Sequence, residues 1–383
     1  MDILIAGDVV IDTNYDIKLL DSDLVELFGK SDLNIVNLEA PVTESVKKIA
    51  KTGPCLKSDY TSTLEFLRAL NVNIVSLANN HILDFGDNGL RDTIQFCSNN
   101  GLKTVGAGMN IGEAEQTLFI ESDYGRLAIV NFAENEWASA TKSSGGANPV
   151  SIIKNYRQIK NAKEKADQVI VIVHGGHEFN HYPSPMTIET YRFYAESGAD
   201  LVVAHHTHCV GGYEIHDGTP IFYSLGNFLF TTSKLRPDSW YTGLVLRVKI
   251  HRGSPLQFEL VPISQAKNNF SLSLLRNDDK DALLKKIKEI NNAISDTEVL
   301  QAKWEEFTER VKGGYIKAVS PIAGFKNVYI RAILYRLGIY KWFMNSMYCK
   351  EMLNRIRCEA HHEVIKDIFG KYLKKNKEYG KRH

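Results

Sequence analysis

Short apolar runs alternate with amphipathic stretches along the chain up to about residue 262. Runs rich in β-branched residues predict buried strands, and apolar residues spaced three to four apart predict helices. Strands are predicted at Asp2–Ala6, Leu33–Asn37, Asn73–Leu77, Lys103–Gly106, Leu127–Phe132, Gln168–Val173, Leu201–Ala204, Pro220–Ser224 and Gly243–Ile250. Helices are predicted between many of them, at Ser62–Ala69, Gly89–Asn99, Ser151–Ala166 and Thr187–Ser197. This alternation predicts an α/β layered domain.

The pattern changes after about residue 265, where longer helical periodicity replaces the alternation. Asp279–Ile294 and Leu300–Val311 have the spacing of amphipathic helices. A turn-rich stretch, Lys312–Phe325, then leads into further helical sequence. We therefore predict two parts, an α/β domain over residues 1–264 and a helical, basic extension over residues 265–383.

Polar residues follow several predicted strands directly, at the points where the apolar runs end. Asp8 follows the first run, and Asn37 and Glu39 follow the second. Ligands and catalytic groups collect beyond the carboxyl ends of strands in open α/β sheets, so we expect these side chains to meet. The other polar residues in such positions are Asn79, Asn80 and His81 after the third run, His174 after IVIV, and His205, His206 and His208 after LVVA.

Taken singly, these residues have ordinary structural explanations. An Asp after a strand is commonly a helix N-cap, and an Asn-His pair is commonly a turn. His206 and His208 give a stronger signal, because alternate residues of an extended chain point the same way. Five strand ends that deliver carboxylate, amide and imidazole groups together predict a site for a divalent ion such as Mn²⁺, Fe²⁺ or Zn²⁺.

The overall charge of +1 hides an asymmetry between the body and the tail. The segment from Lys312 to His383 has 16 Lys and Arg residues against 5 Asp and Glu residues, so an acidic body precedes a basic tail. Residues 325–344, FKNVYIRAILYRLGIYKWFM, interleave basic with apolar and aromatic side chains. Two interpretations stay open: an interfacial helix on anionic lipid, or helices packed on the main domain. Nucleic-acid binding is not expected, because no recognised module is present.

The cysteines and the N-terminus bear on the compartment. No CxxC pair is present, and an odd number of cysteines argues against a disulfide framework. We see no signal peptide and no apolar stretch long enough to span a membrane. We therefore expect a cytoplasmic protein, with peripheral contact at the inner membrane surface as the alternative that the tail suggests. The five cysteines are Cys55, Cys97, Cys209, Cys349 and Cys358.

Several motifs together resemble the CapA family, which is named for a capsule (poly-γ-glutamate) synthesis protein and is related to the calcineurin-like metallophosphatases. The resemblance covers roughly residues 1–250, in the family's order. It implies a four-layer α/β/β/α sandwich with a metal site at one edge. The motifs are GDVV from Gly7, NLEAPVT from Asn37, LANNHILDFGDNG from Leu77, TVGAG from Thr104, HGGHEF from His174, GADLVVAHHTH from Gly198 and YSLGNFLF from Tyr223.

The resemblance also implies a ligand set for one or two divalent ions. Asp8 and His208 would bind the first ion, and Glu39 would be a bridging carboxylate. One departure affects the first site, because Val10 stands where metallophosphatases usually have a histidine. The remaining ligands, at the second ion, would be Asn80, His174 and His206.

Catalytic and substrate-binding roles are implied in the same way. His81 would protonate the leaving oxygen, steadied by Asp84. For Asn227, a structural role in a tight turn with Gly226 is the alternative. The residues assigned to substrate binding are Asn37, Glu178 and Asn227.

Three functions are compatible with these residues. The first is a metal-dependent hydrolase of phosphoesterase type in the biosynthesis of a capsular or cell-envelope polymer, acting on an anionic polymer or a phosphoester. The second is a non-catalytic accessory protein of polymer synthesis with a structural metal. The third is an enzyme that modifies a peptide on the same scaffold.

Overall fold

A computed structural model describes residues 1–232, 234–267, 269–357, 361–362, 364–365 and 368–369. The chain divides into two compact units, Met1–Trp304 and a second unit that begins at Glu305. The basic tail lies in the second unit. Its part beyond Arg357, which includes Cys358, lies largely outside the described residues.

The strands occur in the first unit and the helices in both. The strands are β1 (Asp2–Val10), β2 (Leu33–Leu38), β3 (Ile74–Ser76), β4 (Lys103–Val105), β5 (Ala107–Gly108), β6 (Leu118–Ser122), β7 (Gly125–Ala133), β8 (Gly146–Ala147), β9 (Gln168–His174), β10 (Leu201–His205), β11 (Tyr213–His216), β12 (Thr219–Phe222), β13 (Asn227–Phe230), β14 (Thr242–Lys249), β15 (Gln257–Gln265) and β16 (Leu272–Leu274). The helices are α1 (Ser22–Gly29), α2 (Tyr60–Ala69), α3 (Gly86–Asn99), α4 (Ile111–Ala114), α5 (Ile152–Lys165), α6 (Pro185–Glu196), α7 (Asn277–Ile294), α8 (Thr297–Val319), α9 (Val328–Arg336), α10 (Tyr340–Phe343) and α11 (Ser346–Arg357).

Two large sheets form the centre of the first unit. The first has the order β16-β15-β14-β1-β2-β3-β4, with β13 also pairing β1, and the second has the order β11-β12-β10-β9-β7-β6. Strands β1 to β4 run parallel, as do β12, β10, β9 and β7. The parallel strands of each sheet therefore present their carboxyl ends along one edge.

Three apolar clusters separate four layers, because successive residues of a strand face opposite sides of its sheet. The first cluster joins the outer face of the first sheet to α1, α2 and α3, with Leu4, Val36, Phe28, Phe66 and Phe96 among its members. The second joins the inner faces of both sheets, with Ile3, Ile35, Ile129, Ile172 and Val203. The third joins the second sheet to α5 and α6, with Val130, Val171, Ile159, Ile188 and Tyr194. The predicted α/β/β/α sandwich is therefore confirmed.

The second unit is helical over its described residues. Tyr335 on α9 donates a hydrogen bond from its hydroxyl to the carbonyl of Lys317, 2.8 Å away, and Tyr348 on α11 donates to the carbonyl of Val319. Both acceptors belong to the last turn of α8, whose carbonyl groups lack partners within the helix. Among the described helices of the chain, none has the length and apolar character needed to cross a membrane.

Each of the nine predicted strands corresponds to an observed strand, and the predicted helices to α2, α3, α5, α6, α7 and α8. The division between the compact units falls at Trp304, and β15 and β16 extend the first sheet up to and beyond residue 264. That residue 264 bounds a separate domain stays a prediction. No disulfide bond joins the four cysteines within the described residues.

Candidate metal centre

Polar residues at the carboxyl ends of β1, β2, β9 and β10 lie together at one edge of the sandwich. Asp8 is paired with Asn37 in the register of β1 and β2, and His174 is paired with His205 in the register of β9 and β10. All four side chains are buried. Each sheet thus places two polar side chains at the same height, as ligand sites in α/β sheets require.

A contact between two glycines brings β13 beside β1 at this edge. A Cβ atom on Gly7 would lie 1.9 Å from the carbonyl oxygen of Gly226, so a side chain cannot be placed there. Gly226 has a φ of +70°, in the left-handed region that glycine tolerates. The contact sets Asn227 opposite Asp8. The GDVV and YSLGNFLF motifs therefore contain glycine where the backbones meet.

Asp8 has hydrogen-bond donors at both carboxylate oxygens. Asn37 donates from Nδ2 to Oδ1 at 2.6 Å, and the backbone N–H of His206 donates to Oδ2 at 3.2 Å. Burial raises the pKa of Asp8 to about 7, and the two hydrogen bonds oppose that rise. Asp8 therefore takes up a proton near neutral pH unless a positive charge lies beside it.

Glu39 differs from Asp8, because neither of its carboxylate oxygens has a hydrogen-bond partner among the described residues. The side chain is 0% exposed, and its Oε1 lies 3.6 Å from His174 Nε2 and 3.8 Å from His208 Nε2. Burial raises the pKa of Glu39, and the neighbouring charge of Asp8 adds to the rise. A buried group left without a partner costs about 1–3 kcal/mol, and more when it is charged. A bound cation would offset that cost.

Three histidines surround the two carboxylates. His174 Nε2 lies 3.1 Å from Asn80 Oδ1 and 3.1 Å from His206 Nδ1, and His208 Nδ1 lies 2.9 Å from Asn227 Oδ1. Burial lowers the pKa of His206 to about 4 and that of His208 to about 3, and it lowers the pKa of His174 well below its usual value. All three imidazoles are therefore neutral at pH 7, which is the form that binds metals.

The HTH segment does not have the extended geometry that the spacing predicts. Strand β10 ends at His205, and the backbone at His206 and His208 has φ values of +89° and +56°. Such angles are uncommon for residues other than glycine, and they occur where a site holds the backbone in a strained form. The turn nevertheless brings both rings to the same cluster, with centroids 6.1 Å apart, and it directs the N–H of His206 towards Asp8.

The donor atoms form two groups that share Glu39. One consists of Glu39, His174 and His206, the other of Asp8, Glu39 and His208, and the ligand atoms of each group lie within 4.8 Å of one another. Carboxylate oxygens and neutral imidazoles are suitable donors for Mn²⁺, Fe²⁺ and Zn²⁺. Because Glu39 also lacks any other partner among the described residues, the buried cluster fits a divalent metal site.

Val10 supplies no ligand to this cluster. Its side chain, two residues after Asp8 at the end of β1, is buried in a small apolar cluster. The resemblance implies a histidine at this position, but the side chain present is apolar and is surrounded by other apolar side chains. The other members of this apolar cluster are Ala40, Phe230, Trp240 and Tyr241.

His81 lies beside the cluster and is held by a buried ion pair. Its Nδ1 is 2.6 Å from Asp84 Oδ2, and Lys51 forms an ion pair with Asp84 Oδ1. Lys51 Nζ also lies 3.2 Å from His81 Nδ1. Because a carboxylate only accepts hydrogen bonds, His81 Nδ1 is the donor to Asp84, and Nε2 takes no part in this contact.

Lys51, whose side chain is only 3% exposed, is not predicted from the sequence. It lies in a stretch without helix or strand between β2 and α2, among other lysines that read as solvated charges. No periodicity or motif marks the residue, so its burial could be seen only in three dimensions.

The three residues assigned to substrate binding occupy different environments. Asn37 and Asn227 are buried, and they hydrogen-bond to Asp8 and His208, so they hold the proposed ligands in place. Asn227 also donates to the carbonyl of Trp240, which agrees with its structural alternative. Glu178 is exposed. Contact of these residues with a substrate stays a prediction.

The chain is similar in sequence to bacterial proteins named for the synthesis of capsules and of amino-acid polymers. Residues 2–232 match the family described as bacterial capsule synthesis protein PGA_cap. PGA biosynthesis protein CapA of Bacillus subtilis (strain 168) is 30% identical over 241 residues, 62% of this chain and 62% of that protein. A "Probable polyglutamine synthesis accessory protein" of Mycobacterium tuberculosis (strain CDC 1551 / Oshkosh) is 28% identical over 214 residues, 51% of this chain and 55% of that protein. The chain spans less than two thirds of the length of these curated relatives.

A solved structure with a related arrangement is described as a novel phosphatase from Mycoplasma pneumoniae. It superposes with a TM-score of 0.43 at 15% identity, covering 69% of this chain and 93% of that chain. Because this likeness is weak, the fold assignment rests on the strand order and layers given above, and nothing about activity follows from it.

Proposed function

Because the chain belongs to the family of bacterial capsule synthesis proteins designated PGA_cap, we propose that it is a metal-dependent hydrolase in the biosynthesis of a capsular or cell-envelope polymer. The bond cleaved is a phosphoester, and the substrate is an anionic polymer or a phosphoester precursor of one. The observation that carries the proposal is Glu39, a buried carboxylate without a hydrogen-bond partner among the described residues, surrounded by neutral imidazoles. This arrangement is unfavourable for a folded protein unless a cation binds there.

The metal would be held by carboxylate, amide and imidazole groups from both sheets. A divalent ion supplies Lewis acidity, which makes hydroxide available at neutral pH. Manganese, iron and zinc are the expected metals, because the donors are oxygen and imidazole nitrogen. The proposed ligands are Asp8, Glu39, Asn80, His174, His206 and His208.

His81 is proposed to act with both ring nitrogens protonated, so that Nδ1 donates to Asp84 while Nε2 delivers its proton to the leaving oxygen and is left as a neutral nitrogen. Asp84 accepts the hydrogen bond from His81 Nδ1 and so fixes the orientation of the ring. Lys51 and the backbone N–H of Leu56, which is 2.6 Å from Asp84 Oδ2, hold the carboxylate in turn. A general acid of this kind contributes roughly 10²–10⁴-fold to the rate.

The exposed Glu178 is proposed to contact the substrate, and Asn37 and Asn227 to orient Asp8 and His208. A peptide substrate and a cytoplasmic location stay predictions from the sequence.

The accessory function is the second candidate. It is favoured by Val10, which lies among apolar side chains where a further ligand is expected, and by the Mycobacterium tuberculosis relative, which is named as an accessory protein. In that case the metal would stabilise the fold, and no substrate would be hydrolysed.

Elemental analysis and a hydrolase assay separate the two candidates. The purified protein is assayed with bis-p-nitrophenyl phosphate and Mn²⁺, beside Asp8→Asn, His81→Ala and, as a control, Asp123→Asn at an exposed position. We expect Asp8→Asn to lose metal and activity, His81→Ala to lose activity alone, and the control to lose neither. Bound metal without hydrolysis of any phosphoester tested would favour the accessory function. Turnover unchanged in both site variants would refute the assigned roles.

A further inference from the structure

Helices α9, α10 and α11 expose large apolar side chains. Trp342 is 82% exposed, Tyr329 81% and Leu337 68%, and α9 contains no buried residue. Large apolar side chains exposed close together in the chain commonly mark an interaction site. The other large apolar side chains exposed on these helices are Val328, Ile330, Ile333, Phe343, Met347, Leu353 and Ile356.

Three of the exposed apolar residues, in α9 and at its C-terminal cap, share one face of the helix. Ile330, Ile333 and Leu337 follow the i, i+3, i+7 spacing, so they lie above one another. The opposite face is fixed within the second unit, where Tyr335 donates to the carbonyl of Lys317 and Arg331 donates to the carbonyl of Ala323. The apolar face therefore points outward because the other face has its own partners.

Positive charge accompanies this apolar face. From Lys312 to Lys350 the chain contains no Asp or Glu. Among the basic residues of the stretch, Arg336 and Lys341 are exposed and adjoin Leu337 and Trp342 in sequence. A surface that combines aliphatic and aromatic side chains with unopposed basic groups complements an anionic lipid headgroup layer.

We propose that the apolar and basic residues from Lys326 to Ile356, here called the amphipathic surface, bind the face of a bilayer that contains anionic lipid. Trp342 and Leu337 enter the headgroup region, and Arg336 and Lys341 contact the lipid phosphates. A second copy of the chain fits less well, since two surfaces without acidic residues between Lys312 and Lys350 would repel each other. Nucleic acid fits less well because exposed Ile and Leu side chains gain nothing from a phosphate backbone.

Vesicle flotation of the full chain tests the proposal. We expect flotation with vesicles of phosphatidylcholine and phosphatidylglycerol, and none with phosphatidylcholine alone. Binding should weaken strongly in 1 M salt, where the screening length is about 3 Å. Lys341→Ala should reduce the partition coefficient about fivefold, and Leu337→Ala combined with Trp342→Ala should reduce it at least about tenfold.

The matched controls are Lys142→Ala and Ile153→Ala, which remove exposed basic and apolar side chains from the first unit and should not change flotation. Circular dichroism of each variant should stay unchanged, because the substituted side chains are exposed. Three results would overturn the proposal. They are no flotation with anionic vesicles, equal flotation with neutral vesicles, or burial of Trp342 by self-association of the chain instead of by lipid. Hydrolase activity does not enter the readout, so the outcome is independent of the function proposed above.

Discussion

The two units of the chain depart from the usual distribution of side chains in opposite directions. At the edge of the sandwich, Asp8 and Glu39 are fully buried, whereas in the second unit Trp342 and Leu337 are largely exposed. Buried polar groups and exposed apolar patches are the two informative exceptions to the rule that apolar residues lie inside. Each exception identifies a missing partner by its chemistry, a cation in the first case and an apolar, anionic surface in the second.

The two regions also differ in how they affect the free energy of folding. A buried charge without a partner is expensive in the folded state, so the surrounding structure must hold it there. An exposed apolar side chain costs little in folding, because it is equally exposed in the unfolded chain. The site region should therefore respond strongly to substitution, and the amphipathic surface should respond only when its partner is present.

The largest effect is expected at the buried ion pair beside the site. Lys51→Met should lower the free energy of unfolding by about 3–5 kcal/mol, because Asp84 is left as a buried charge without its cation. Urea denaturation followed by circular dichroism measures the change. The double variant Lys51→Met, Asp84→Asn should recover part of the loss.

The control for this substitution is Lys30→Met, which breaks an exposed pair with Glu26. Exposed pairs contribute about 0–1 kcal/mol. Equal losses in the free energy of unfolding for Lys51→Met and Lys30→Met would show that the buried Lys51–Asp84 pair contributes no more to stability than an exposed pair.

The second prediction is that replacing Glu39 changes the free energy of unfolding in opposite directions without and with metal. In metal-free protein at pH 8, Glu39→Gln should raise the free energy of unfolding by about 1–3 kcal/mol, because a buried carboxylate without a partner is replaced by a neutral amide of the same size. With Mn²⁺ the order should reverse, since a ligand that binds only the folded state stabilises it. Thermal unfolding with chelator and with Mn²⁺ gives both comparisons.

Glu44→Gln, at an exposed position, controls for the loss of one negative charge. If Glu39→Gln destabilises the metal-free protein, Glu39 has a partner within the fold and the metal-site assignment loses its main support.

The third prediction is a pH dependence of metal-free protein that isolates His205. Burial lowers the pKa of His205 to about 3, from 6.5 in the unfolded chain, and neither ring nitrogen has a hydrogen-bond partner among the described residues, although Nδ1 lies 3.9 Å from Asp8 Oδ1. Its contribution to stability is thus complete above pH 6.5 and is lost as the pH falls, because only the unfolded state takes up the proton. Between pH 8 and pH 5 the wild type should lose about 2 kcal/mol relative to His205→Gln.

Urea denaturation at the two pH values, in the presence of a chelator, measures this difference. His251→Gln, at an exposed position, controls for the substitution itself. A difference between the wild type and His205→Gln that stays constant with pH would show that His205 is protonated alike in the folded and unfolded states.

Much of the fold could be predicted because the buried parallel strands are apolar along their whole length. The differences between the predicted and the observed strands have local causes. Strand β1 continues to Val10 rather than ending at Ala6, because a register shift after Ile5 lets the ladder pass Gly7 and Asp8. Strand β13 (Asn227–Phe230) lies where the sequence indicated a tight turn, and its pairing with β1 depends on a contact between glycines far apart in the chain.

The site was predictable where function coincides with strand ends and was not predictable elsewhere. Asp8, Glu39 and His174 follow apolar runs, so their meeting at one edge follows from the topology. Lys51 approaches the site from an irregular segment and Trp240 from a 3-10 helix of four residues (Asp238–Tyr241), and the path of both depends on tertiary contacts and leaves no periodic signal. The left-handed turn at His206 also depends on a distant partner, the carboxylate of Asp8.

The smallest effect is expected at Trp342, and Trp240 supplies its matched control within the same chain. Trp342→Ala should change the free energy of unfolding by less than about 0.5 kcal/mol, because the ring is exposed in the folded and unfolded states alike. Trp240 is 1% exposed and packs on His208, with ring centroids 4.7 Å apart, so Trp240→Ala should cost about 3–5 kcal/mol. Urea denaturation of both variants gives the comparison. A large loss for Trp342→Ala would mean that its ring is buried within the fold, and the exposed surface proposed to bind lipid would then not exist in solution.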